Sequence, residues 1–224
     1  MKVNKHFAKR NEEVNQLKIA FLIMAHNNVE LLNDFIQQIL RYDKADIFVH
    51  VDKKAENMIP QIKKAGRIHI LKQHIDAAWG DYTQIEMIHL LLDEAYRFGE
   101  YDYYSLHSGV DMLIKPVNDL VEYLSKTRKY GYYDCSKLPA KNWGHGGGVE
   151  RISLKYPQIF RKRYQPWHPI RYIRAMYQML YQYGIMKGKK TSGKIYFLRR
   201  FNMVYGKQAV CRTLFQFHKK QSRI

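Results

Sequence analysis

The sequence has little cysteine. Cys135 and Cys211 stand far apart without metal-type spacing, so neither a disulfide framework nor a zinc site is suggested. No run approaches the roughly 18 to 20 consecutive apolar residues that a membrane-spanning helix needs. The polar opening MKVNKHFAKRNEEVNQ lacks the apolar core of a signal peptide. A soluble, cytoplasmic chain is the expectation. There is no GxGxxG after a strand and no GxxxxGK[ST], so neither a dinucleotide fold nor a P-loop is indicated. The ten histidines include no HExxH, and the acidic motifs around Asp52 and Asp102 form no DxD pair, so no bound metal is expected. The last third lacks one sign of charge altogether, with no Asp or Glu after Glu150.

What is present suits one domain of ordinary size, or one with an appendage: 224 residues, 46% of them hydrophobic. The net charge of +18 is unevenly placed. Residues 1–150 hold 20 basic and 20 acidic side chains, whereas residues 151–224 hold 18 basic ones and none acidic. Such asymmetry fits an acidic partner, whether nucleic acid, anionic lipid or a phosphate-bearing substrate, or a basic solvated surface.

Residues 1–17 read as a polar leader. The unbroken apolar run LKIAFLIMAH, from Leu17 to His26, predicts a strand buried on both faces, as in a parallel sheet covered by helices. NNVELLNDFIQQIL then puts Leu31, Leu32, Phe35, Ile39 and Leu40 on one helical face, with Asn27 and Glu30 at capping-box spacing. Strands follow at Asp46–Lys54 and Arg67–Lys72. A helix carries Ile85, Ile88, Leu91, Leu92, Ala95 and Tyr96 behind the Thr83/Glu86 spacing. Next come a strand YDYYSLHS, a helix opening at Pro116, and a further strand GYYDCS. This β-α-β rhythm predicts an α/β fold, a Rossmann-like, mostly parallel sheet flanked by helices. NWGHGGG reads as a loop, RYIRAMYQMLYQYGIM as a tyrosine-rich helix, and KGKKTSGK as a basic connector.

In open α/β sheets ligands sit outside the carboxyl ends of the strands. Three polar stretches fall at such ends: His26-Asn27-Asn28, His50 to Lys53, and Ser108 to Asp111. Asp111 is either a ligand group, with Gly109 letting the backbone turn close beside the ligand, or an ordinary turn residue ordering the approach to Pro116. GHGGG, with His145, has no preceding strand and reads as a linker.

Four segments, LIMAHNN, DIFVHVDKK, WGDYTQIEMIHLLLDEAY and above all YDYYSLHSGVDMLIKP, together resemble the core-2/I-branching β-1,6-N-acetylglucosaminyltransferase and peptide xylosyltransferase family, glycosyltransferase family 14. The resemblance covers about residues 18 to 125, and its most specific part is the SGxD-x-x-(I/L)-K element. It implies a GT-A type nucleotide-binding sheet over 18–140, a UDP-sugar donor carrying N-acetylglucosamine or xylose, inversion at the anomeric carbon, and no divalent metal or other cofactor. By position it implies that His26 and Asn27 line the entrance to the nucleotide pocket and that Asp52 sits near the uridine. Trp79, Gly80 and Asp111, with Ser108 and Gly109, would lie by the donor sugar and diphosphate.

The departure from the family lies in 141–224, a Gly-rich loop and basic acceptor-side region. The family continues past a segment like Tyr205-Gly206-Lys207-Gln208 to an acidic motif that supplies the general base, and no carboxylate follows Glu150 here. The expectation is a shortened member whose catalytic residues are unassigned. Its partners would be a UDP-sugar and a glycan or lipid-linked glycan acceptor in surface polysaccharide synthesis. The alternative is an inactive homologue that only binds nucleotide-sugar. Nucleic acid is not expected, because aromatics at helical spacing, such as Tyr172, Tyr177 and Tyr181, are ordinarily packing residues. The basic, aromatic segment 161–190 fits peripheral contact with an anionic membrane, at the inner face for a cytoplasmic enzyme, or a helix packed on the sheet.

Overall fold

A computed structural model describes residues 17–78, 82–127, 131–137, 139, 147–149, 153, 154, 157–161, 164–186 and 196–207. The chain divides into two compact units, one of residues 1–77, 83–133 and 201–224, the other of residues 78–82 and 134–200.

The first unit is built on β1, Ile19–Ala25. Its sequence, IAFLIMA, offers both faces of the strand to hydrophobic partners, and all but Met24 is buried. β2, Ala45–Val51, and β4, Tyr103–Ser108, flank it in parallel, and β3, Ile68–Ile70, lies outside β2. The strand order is β3-β2-β1-β4-β6-β5, where β5 is Gly131–Lys137 and β6 is Tyr196–Lys207. β6 runs antiparallel to β4, pairing Tyr103 with Lys207 through Leu106 with Val204.

Parallel strands need crossovers, and these supply the covering helices. Helix α1, Val29–Leu40, buries Leu32, Phe35, Ile36 and Ile39, the i, i+3, i+4, i+7 stripe that one helix face requires. Together with Val117, Val121 and Leu124 of α3, Val117–Thr127, it covers the face of Phe21, Ile23, Ile47, Val49 and Tyr103. Helix α2, Thr83–Phe98, brings Leu91 and Ala95 onto the opposite face, against Ala20, Leu22, Phe48, Tyr104 and Leu106. Each fully buried side chain of this size contributes about 1.5–3 kcal/mol. β1, β2 and β4 are thus buried on both faces.

In the second unit a short 3₁₀ turn, Gln158–Arg161, packs with helix α4, Pro169–Gln182. His168 caps α4 through its ring Nδ1, which accepts from the Ile170 N–H at 3.3 Å, and Pro169 occupies the first helical turn, where no N–H is needed.

The α/β expectation holds, with local differences. The cap of α1 is Asn28 rather than Asn27: its side chain accepts from the Leu31 N–H at 3.1 Å, and its backbone is left-handed at φ 50°. β2 ends at Val51, because the Asp52 carboxylate accepts from the Lys54 N–H at 2.9 Å and starts a 3₁₀ segment, Lys53–Gln61, instead of prolonging the strand. Pro116 lies just before α3 and its carbonyl accepts from the Asp119 N–H at 3.0 Å. β6 has no counterpart in the sequence reading. Of GHGGG, Gly147 and Gly148 lie in a turn at φ 58° and 87°, while His145 and the connector KGKKTSGK lie outside the described residues.

Candidate functional site

Parallel register brings three chain segments to one edge. Ala25 pairs with Val51 and Met24 with Ser108, so the segments leaving β1, β2 and β4 emerge side by side. The connection is tightened from both flanks: the Asp52 N–H donates to the Ala25 carbonyl and the Gly109 N–H to the Met24 carbonyl, each at 2.8 Å. His26 and Asn27 therefore leave β1 between a β2 shoulder carrying Asp52 and a β4 shoulder carrying Ser108, Gly109 and Asp111.

On the β2 side lies an open cleft of about 430 Å³, lined by His26, Asn27, Asn28, Val29 and Glu30 from the start of α1 and by Lys54, Ala55, Asn57 and Met58 from the 3₁₀ segment. The first turn of α1 leaves backbone N–H groups without helical partners, and its dipole favours negative charge. Lys54 adds a cation whose Nζ lies 2.6 Å from Asp76 Oδ1, donates to the Ala77 carbonyl at 2.6 Å, and stands 3.8 Å from Asp52. Its hydrogen bond to Asp76 raises its pKa and keeps it charged. Asp52, mostly buried, holds the floor of this corner as a cap.

On the β4 side Asp111 is locked into a turn. Its Oδ2 accepts from the Ser108 N–H at 2.8 Å, and its own N–H donates to the Ser108 carbonyl at 3.0 Å. Beneath it His107, 1% exposed, is stacked on Phe21 and edge-on to Phe35. The His107 Nδ1 faces Asp111 Oδ2 at 3.7 Å, an electrostatic contact longer than a hydrogen bond, and Nε2 lies 2.5 Å from the Ser105 hydroxyl. Burial pushes the imidazole pKa down, and a neutral ring protonated on Nδ1 would suit both neighbours. His107 and the Ser108 N–H in turn hold the Asp111 carboxyl below its usual range, against the partial burial that opposes them.

The order Ser105, His107, Asp111 has the form of a nucleophile triad, but Ser105 is wholly buried within the sheet and cannot meet a substrate. Asp111 is an ionised hydrogen-bond acceptor. The loop beyond it is pinned by Gln38 of α1, whose Oε1 accepts from the Leu113 N–H at 2.9 Å and whose Nε2 donates to the Leu113 carbonyl at 3.4 Å.

Of the sequence candidates, the cleft gathers His26 and Asn27; Asp52 lies at its corner, and Ser108, Gly109 and Asp111 stand across β1. Trp79 and Gly80 lie outside the described residues. Gly109 has a structural reason to be glycine: a Cβ there would lie 2.9 Å from Ala25 Cα. Sequence reasoning missed Lys54, Asn57 and Gln38. The only available signal for Lys54 was its place two residues after the capping Asp52. Among the described residues no three His, Cys, Asp or Glu side chains form a metal-holding group.

The solved structure of 4-diphosphocytidyl-2C-methyl-D-erythritol synthase from Anaerococcus prevotii DSM 20548 is similar with 11% identity and a TM-score of 0.45, over 91% of this chain and 77% of that one. No sequence among the curated proteins matches. The family model described as core-2/I-branching enzyme matches residues 19–163, well over half of the chain, and spans β1, the cleft and the Asp111 turn. The chain belongs to the core-2/I-branching enzyme family, whose members are glycosyltransferases acting on a nucleotide-sugar donor and a glycan acceptor.

Proposed function

We propose that this glycosyltransferase takes its sugar from a UDP-sugar, N-acetylglucosamine in the first place and xylose as the other candidate. Transfer to a hydroxyl acceptor would invert the anomeric carbon without a divalent metal. The observation that carries this reading is the shared edge. A cleft with a helix N-terminus and a lysine on one side of β1, and an ionised, backbone-anchored carboxylate on the other, suits a ligand with an anionic diphosphate and hydroxyl-rich rings. In this arrangement His26, Asn27 and Asn28 meet the nucleotide, Asp52 keeps the β2 corner in shape, and the α1 N–H groups offset phosphate charge together with Lys54, which would exchange its exposed partner Asp76 for the phosphate. Asp111 accepts hydrogen bonds from sugar hydroxyls, with Ser108 and Gly109 setting its height. Metal-free departure of UDP needs cations or N–H dipoles to receive the developing charge, and at this cleft those are Lys54 and the first turn of α1.

A second reading is favoured by one fact: residues 151–224 hold no Asp or Glu to act as general base. In that case the protein binds nucleotide-sugar without transferring it. Incubation of the chain with UDP-N-acetylglucosamine or UDP-xylose in EDTA separates the two. Release of UDP that depends on an added glycan acceptor supports transfer; saturable binding without release supports the second reading; no binding of either donor sinks both.

A further inference from the structure

Helix α4 has one half-buried side and one bare side. On the half-buried side the Tyr177 ring meets Phe160 with centroids 5.7 Å apart, Tyr181 shares a hydrogen bond with Ser153, and Arg174 reaches the Phe160 carbonyl at 3.5 Å. On the other side Tyr172, Met176, Met179 and Tyr183, at i, i+4, i+7 and i+11, form one stripe exposed at 62, 56, 51 and 76%. Trp167, exposed at 85%, precedes the helix. A helix facing water carries polar side chains at these positions, and a continuous apolar stripe there marks a surface that meets something.

The surrounding charge selects the partner. Arg171 lies on the helix, Arg161-Lys162-Arg163 precede it in the sequence, Lys187, Lys189 and Lys190 follow it, and no carboxylate occurs anywhere from 151 to 224. A second copy of this segment would bring cations against cations. An anionic lipid surface satisfies both features, since it receives the cations at its headgroups and the apolar stripe at the upper acyl chains. Trp and Tyr favour that boundary because each joins an apolar ring to a polar tip. No helix among the described residues is long and apolar enough to cross a membrane, so the arrangement available to α4 is in the plane.

We infer that α4 is an interfacial helix that docks the chain on an anionic bilayer through Trp167, Tyr172, Met176, Met179 and Tyr183. This inference stands independently of the donor reading, because it uses no residue of the β1 edge.

The test is sedimentation of the full chain with vesicles of phosphatidylcholine alone and with about 30 mol% phosphatidylglycerol, at about 0.1 and 0.5 M NaCl. The expected result is at least roughly tenfold stronger partition onto the anionic vesicles, with part of it surviving the higher salt because the apolar stripe is buried. A triple variant, Tyr172→Ser, Met176→Ser and Met179→Ser, touches only exposed side chains. It should keep its circular dichroism spectrum and lose partition by about tenfold. Equal partition onto both vesicles overturns the inference. So does binding that vanishes at the higher salt and ignores the triple substitution, which would be diffuse electrostatics. A stripe-dependent dimer in size-exclusion chromatography without vesicle binding would assign the face to self-association and equally overturn it.

Discussion

At the scale of single residues, the β1 edge is held by groups whose chemistry leaves little choice. Gly109→Ala would put a methyl 2.9 Å from the Ala25 backbone, which has no flexible end to move aside. The variant should lose about 1–3 kcal/mol of stability in urea denaturation. Asp111→Asn keeps an oxygen for the Ser108 N–H but removes the charge. If the carboxylate receives donor hydroxyls, UDP-sugar affinity should fall by roughly tenfold in a variant that remains folded, with a modest loss of stability from the weakened contacts to His107 and the Ser108 N–H. An unchanged affinity would leave Asp111 as a turn residue alone. His50, buried on β2, accepts from the Ile75 N–H through Nε2 at 3.0 Å. Burial, with His74 beside it, pushes its pKa down from 6.5 to about 4. The unfolded chain therefore takes up a proton between pH 6.5 and 4 that the folded chain refuses. The stability is present above pH 6.5 and is lost as pH falls through that window, on the order of 2–3 kcal/mol. His107, whose pKa is also lowered, acts in the same direction, so His50→Gln should flatten the acid side of a stability-versus-pH curve only in part.

At the scale of elements, long apolar runs were legible and short polar devices were not. LKIAFLIMAH declares a doubly covered strand because nothing in it could face water, and the stripe of α1 declares a helix for the same reason. The end of β2 was read three residues late, because DKK continues the extended pattern and only the Asp52 cap, a tertiary choice, stops it. β6 was missed, although YFLRRFNMVYGK is rich in aromatic and apolar residues; its two consecutive arginines obscured the strand pattern, and its pairing with β4 is long-range. Polar residues at strand ends pointed to His26 and Asn27, which line the cleft, and to Asp111, which stands across β1 from it. Gln38 was invisible because a helix-surface glutamine says nothing of a loop 75 residues away. Arg67 is a further device of this kind: it donates to the carbonyls of Leu40, Tyr42 and Ala45 at 3.0, 2.6 and 3.1 Å, binding the end of α1 to the start of β2. Arg67→Lys cannot span all three with one ammonium, and should cost about 1–3 kcal/mol in chemical denaturation.

At the scale of the whole molecule, the proposed donor site of this glycosyltransferase occupies one edge of one sheet. A UDP-sugar would bind there through protein groups alone, with the cleft of His26, Asn27 and Lys54 taking the anionic part. The most direct measurement is calorimetric titration of UDP-N-acetylglucosamine in EDTA, at about 0.15 and 0.5 M NaCl, into the wild-type chain and into Lys54→Ala. Saturable binding at both salt concentrations, weakened by roughly tenfold in Lys54→Ala, is the predicted result. Binding that needs added magnesium, or that is indifferent to Lys54, would contradict a metal-free site at this cleft.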